Sequence, residues 1–305
     1  MSAATTTAYR PLNPRRILVL ARHTFTQLVR MKVFYFLAVF AVVVIGANFL
    51  ELPTDHLPEN AGTEILYTVK NTSLGCMSIF SLVLAIVATG LLLPKDVEDR
   101  TLYTILAKPV PRLDYLIGKW LGVVALIFVS LMAMTLLMNL VLIPHTSKVM
   151  QLQIGAAEFA GANAETKAKI AEDVRALGPT WNLQAAVLVT FMRAMVLAAV
   201  ALLLSTFSTS TLFTAIVGFL ILFIGFFQAD AREVYFGQDT GLAGKAASGI
   251  MTVILPDLQI YNLIDAIVEG KVLKALDLLK VAGITAFYCV TYLFASWLVF
   301  ARKEF

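Results

Sequence analysis

Six stretches of this chain are long and apolar enough to be membrane-crossing candidates, and no other feature restricts the fold as strongly. They are residues 33–50, 74–93, 120–143, 183–204, 211–229 and 281–300. A helix needs about 20 predominantly apolar residues to cross the hydrocarbon layer. Only the fourth stretch contains a charged residue, Arg193. Such spans must be helical, because a backbone in lipid has to satisfy its own N–H and C=O groups. A soluble domain with 59% apolar and 14% charged residues in 305 would expose large apolar patches. The expectation is an all-α integral membrane protein with six transmembrane helices, forming one domain over residues 1–305.

Basic residues set the orientation, since lysine and arginine accumulate on the cytoplasmic side. One side carries Arg10, Arg15, Arg16, Arg22, Arg30, Lys32, Lys95, Arg100, Lys108, Arg112, Lys119, Arg302 and Lys303 in short segments. On the other side, basic residues are spread over the longer loops 51–73, 144–182 and 230–277. This asymmetry predicts both termini inside. Trp120, Trp181 and Trp297 fall near predicted interfaces, where indole rings prefer to sit. A secretory signal does not fit, because a charged section reaching Lys32 precedes the first apolar stretch.

Residues 14–32 have the period of an amphipathic helix. Ile17, Leu18, Ala21, Phe25, Leu28 and Val29 share one face; Arg15, Arg16, Arg22, His23, Gln27 and Arg30 share the other, with Val19 the exception. Such a helix suits the cytoplasmic leaflet surface, where anionic headgroups attract basic side chains, or a docked position on a partner. Of the outer loops, 144–182 holds an alanine-rich helical segment ending near Gly178-Pro179. Loop 230–277 holds an apolar helical stripe of Leu258, Tyr261, Leu263, Ile264 and Ile267, which could dip into the membrane or lie on it.

The chain has no G-x-x-x-x-G-K-[ST] phosphate loop; the nearest fragment, GLAGKAASG, lacks Ser or Thr after Lys245. Cys76 and Cys289 sit in or beside apolar stretches, and His23, His56 and His145 are scattered. No metal-ligand spacing, nucleophile–base arrangement or cofactor motif results. Neither catalysis by this chain nor a nucleic-acid partner is expected.

The segment PKDVEDRTLYTILAKPVPRLDYLIGKW, from Pro94, packs twelve charges or prolines between two apolar stretches. Pro94 suits a first helical turn, with Asp96, Glu98 and Asp99 meeting the positive end of the helix dipole. Leu102, Ile105 and Leu106 share an apolar face, and Pro109 and Pro111 end the helix after Lys108. The reading is a short, capped, amphipathic cytoplasmic helix between spans two and three.

The run EDRTLYTILAKPVPR, followed by GKWLG, resembles the corresponding loop of type-2 ABC exporter permeases. An N-terminal interfacial helix, six spans, the STFSTST turn, a large outer loop before the sixth span and a basic end extend the likeness over nearly the whole chain. Arg100 stands where many members have glycine, which resembles the branch containing the permease of nitrous-oxide-reductase maturation. The resemblance implies a coupling helix engaged by a separate ATPase subunit, which holds the ATP and magnesium. Glu98, Arg100, Thr101, Lys108 and Arg112 become candidates for that interface. It further implies a second permease copy or a similar chain as partner, and a bacterial cytoplasmic membrane.

A secondary transporter or channel, and a non-transporting scaffold of an assembly complex, are the other classes weighed. Secondary transporters place ionisable groups near midplane and break their helices there; here only Arg193 qualifies. Arg193 could line a translocation path, snorkel outward or pair with an acidic loop residue. Asn139 and Thr190, and the small residues Ala194, Ala198, Ala201 and Ser205, read as helix-packing groups.

Overall fold

The structure, a computed structural model, describes residues 12–47, 62–98, 110–208, 210–235, 255–263, 267 and 273–302. Among these residues the regular elements are helical. They are α1 (Pro14–Val29), α2 (Lys32–Ala47), α3 (Thr63–Glu98), α4 (Arg112–Phe159), α5 (Ala164–Leu177), α6 (Trp181–Phe207), α7 (Thr211–Tyr235), a 3-10 turn (Gln259–Tyr261) and α8 (Ala275–Arg302). Five helical stretches are long and apolar enough to cross a membrane: Thr63–Glu98, Arg112–Phe159, Ala164–Phe207 with α6 as its apolar part, Thr211–Gln228 and Ala275–Arg302. The first expected span, 33–50, coincides with α2, of which 16 residues are described. That is shorter than the roughly 20 a crossing needs, and residues 48–50 lie outside the described residues.

Two spans run well past their expected bounds. Helix α3 has 36 residues and α4 has 48, about 54 and 72 Å at 1.5 Å per residue. Residues 63–73 and 144–159, read from sequence as loop, are helix. Proline at 144 removes one backbone N–H, but the following KVMQLQIGAAEF is rich in good helix formers. Val149 in that extension is buried together with Val174 and Leu177 of α5. Lys167 of α5 reaches Glu158 of α4 at 3.3 Å. Helix α5 ends at Gly178, as its sequence predicts.

The centre of the bundle is α3 and α6. Their apolar windows are 72% and 67% buried inside the chain, against 22% for α7 and 33% for α8. Lipid supplies no hydrophobic drive for one helix to pack on another, so close approach by small residues matters more. Ala194, Ala198, Ala201 and Ser205 of α6 are all buried, and Gln184 donates to Asn139 of α4 at 3.3 Å. By contrast α7 turns Leu212, Phe213, Ile216, Leu220, Phe223 and Phe227 outward.

Candidate functional site: the root of the loop between α3 and α4

Sequence reading starts a new helix at Pro94. The structure instead carries α3 through Pro94 to Glu98. Asp96 therefore sits at the C-terminal end of a helix, where the dipole disfavours negative charge. Compensation comes from α4. Lys119 Nζ lies 2.6 Å from Asp96 Oδ2, and the Tyr115 hydroxyl donates to the same oxygen at 2.5 Å. Tyr115 and Lys119 are one helical turn apart and so share a face. Both charged side chains are almost fully enclosed, Asp96 at 3% and Lys119 at 1% exposure. Removing one partner from such a pair strands a buried charge, at a cost of about 3–5 kcal/mol.

The network continues into α1. Lys119 Nζ also donates to Gln27 Oε1 at 3.4 Å. Asp114 is fully buried in the first turn of α4, a position that favours a carboxylate. Arg16 Nε approaches Asp114 Oδ2 to 3.1 Å. This is an ion pair whose geometry is not that of an aligned hydrogen bond. Arg16 and Gln27 thus turn inward, whereas the sequence placed both on the outer face of α1. Leu18 and Val19 point outward. Helix α1 docks on α4 of its own chain, leaving one side with Leu18, Val19, Arg15, Arg22 and His23 exposed.

The GKWLG run at 118–122 builds this joint. A Cβ on Gly118 would lie 2.6 Å from the Leu20 Cβ. On Gly122 it would lie 2.5 Å from the Thr24 Cβ and 2.8 Å from the Ala21 carbonyl oxygen. Only glycine lets the two backbones meet that closely. Trp120, expected at a membrane interface, is buried instead, and its indole N–H donates to the Met195 carbonyl of α6 at 3.3 Å.

Arg112 faces the opposite flank. Its Nη1 donates to the carbonyls of Phe300 at 2.8 Å and Ala301 at 2.7 Å, in the last turn of α8. The guanidinium thereby holds the backbone of α8 close to Arg302. The cation lies 5.9 Å from the Phe300 ring centroid, and that ring stacks on Tyr115 at 5.8 Å. The root of the loop is thereby tied to α1 on one side and to α8 on the other. Of the remaining interface candidates, Glu98 is the exposed last residue of α3. Arg100, Thr101 and Lys108 lie outside the described residues. Sequence reasoning missed Asp96, Asp114, Tyr115 and Lys119 as a set; the only local signal was the i, i+4 spacing of the last two.

Arg193 lies apart from this root. It is 3% exposed on α6, so it does not snorkel. It donates to the Ser78 hydroxyl of α3, and its guanidinium lies 5.5 Å from the Phe226 ring centroid of α7. Among the described residues no carboxylate lies within ion-pair distance of it, and its Nε has no hydrogen-bond partner. Next to Phe226, residues 255–263 fold back onto α7. Leu258 N–H donates to Gly225 O at 3.0 Å and Gln259 Nε2 to Phe226 O at 2.8 Å. The segment reaches α8 through Tyr261, whose hydroxyl meets Thr285 Oγ1 at 2.8 Å. Of the helical stripe that the sequence suggests, residues 258–263 are irregular chain with one 3-10 turn, Ile264 lies outside the described residues, and Ile267 is helical, its N–H donating to the Leu263 carbonyl at 3.2 Å. A Cβ at Gly225 would lie 2.8 Å from the Pro256 carbonyl oxygen, so glycine permits this fold-back.

The sequence model of the family described as "ABC-2 family transporter protein" matches residues 18–305. A search of curated proteins finds no match.

Proposed function

Because the chain belongs to the ABC-2 transporter family, we propose that it is the membrane-spanning permease subunit of an ATP-driven exporter, engaged by its ATPase at the segment between α3 and α4. The chain is a multi-pass membrane protein of a permease family. The chief support for the coupling role is the braced root: the helices entering and leaving residues 99–109 are joined by the buried Asp96–Lys119 pair, and the buried Asp114 ties the second of them to Arg16 of α1. A loop that only enforced topology would need no such enclosure, because surface charges do that work at no desolvation cost.

In this reading ATP and magnesium belong to the ATPase subunit, and Glu98, Arg100, Thr101, Lys108 and Arg112 form or support its seat. Arg112 acts from behind, by holding the end of α8. Two permease chains, identical or similar, flank the substrate path in a bacterial cytoplasmic membrane. Arg193, pinned by Ser78 and Phe226, favours a packing role over a path-lining one. A secondary transporter is disfavoured, since Arg193 within α6 is held in protein packing.

Purification of the full chain from its native membrane in mild detergent tests the reading. The expected result is a stoichiometric companion carrying a phosphate-loop motif, displaced by Glu98→Lys. Its absence from the wild-type preparation would remove the ATP-driven class.

A further inference from the structure

Resting on that reading, we infer that Asp96, Lys119 and Tyr115 are positioning residues that make the ends of α1, α3, α4 and α8 a single lever, so that force at residues 99–109 reaches both terminal helices together. The observation is a chain of contacts through four helices at one end of the bundle. Asp96 of α3 accepts from Tyr115 and Lys119 of α4. Lys119 reaches Gln27 of α1, and Asp114 meets Arg16 of α1. Tyr115 stacks on Phe300 of α8, and Arg112 holds the Phe300 and Ala301 carbonyls.

Each link is hard to bend. The two glycines leave no side-chain layer between α1 and α4 that could shear. The buried pair cannot separate without stranding charges away from water. The Arg112 bonds join one guanidinium nitrogen to two consecutive backbone carbonyls of α8.

The lever excludes α2 and α7. Helix α2 follows α1 across the Arg30–Met31 elbow, and α7 follows α6 in the chain. Motion at the loop is therefore delivered first to α1, α3, α4 and α8. It reaches α2 through its packing on α3 and α4, and α7 through its packing on α6 and on α3, where Gly218 lies against Ile86. The buried charges hold a direction rather than supply stability. Replacing a buried ion pair by matched apolar or neutral groups often leaves stability unchanged.

That distinction supplies the test. The full chain is purified with its ATPase in liposomes, comparing wild type, Asp96→Asn, the neutral double variant Asp96→Asn/Lys119→Met and the charge swap Asp96→Lys/Lys119→Asp. Thermal unfolding, ATPase affinity, permease-stimulated hydrolysis and trypsin cleavage after Arg100 and Lys108 are read for each. The expected result is that the double variant unfolds within a few degrees of wild type and binds the ATPase within threefold. Its stimulated hydrolysis nevertheless falls at least tenfold and its cleavage rises at least tenfold, while the swap recovers part of both. A double variant with wild-type hydrolysis and cleavage would overturn the lever and leave an ordinary structural ion pair. Cleavage is read on the permease alone as well, so the lever fails or stands there even if no ATPase accompanies the wild-type chain. That last outcome would sink the functional reading instead.

Discussion

Lys119 and Arg193, two of the buried cations among the described residues, have very different company. Lys119 has a carboxylate at 2.6 Å, a tyrosine sharing that carboxylate and an amide oxygen at 3.4 Å. Arg193, enclosed to a similar degree, has a serine hydroxyl and the face of a phenylalanine. Lys119 lies at the loop end of the bundle, where α1, α3, α4 and α8 converge. Arg193 lies between α3, α6 and α7, near the fold-back at Gly225. The comparison teaches that burial alone does not mark a working charge in a membrane bundle. A matched counter-charge drawn from another helix fixes helices relative to one another, whereas a lone cation is a cost that packing tolerates.

Breaking the first site should show the largest effect. Lys119→Met strands Asp96 and should destabilise the chain by about 3–5 kcal/mol, read as a lowered unfolding temperature in detergent. Arg193→Met should shift stability the other way. Central arginine costs about 2.5–3.5 kcal/mol on insertion scales, and no described carboxylate would be stranded by its loss. Equal destabilisation by the two variants would erase the contrast. Gly122→Ala should cost about 1–3 kcal/mol by overpacking against Ala21 and Thr24, and should loosen α1 in hydrogen exchange while leaving α6 protected. Tyr115→Phe should be mildest, about 1 kcal/mol, because Asp96 keeps Lys119 as donor; a chemical denaturation series would resolve it.

Much of the architecture could be read from local sequence. The apolar stretches sit on α2, α3, α4, α6, α7 and α8, and the Gly178-Pro179 stop ends α5. Periodicity and breaker residues act over one or two turns, so a sequence window contains them. The errors arose where distant residues decide. Pro94 fits either a first turn or a helix interior; Asp96 meeting Lys119 across a loop selects the interior. Arg16 and Gln27 look like surface residues by period, yet they turn inward to Asp114 and Lys119. Trp120 was assigned to the interface by type, but the Met195 carbonyl of α6 gives its N–H a partner inside. GKWLG was legible as a motif, while the reason for its glycines appears only once α1 lies across them.

The loop end and the opposite end of the molecule also make the most direct test possible. A photo-crosslinking residue placed at Glu98, exposed at the end of α3, can be compared with one at Phe159, 98% exposed at the tip of α4. After irradiation in native membranes, mass spectrometry should identify an ABC ATPase adduct from position 98 and none from 159. An adduct at 159 with none at 98, or no ATPase adduct from either, would contradict the account.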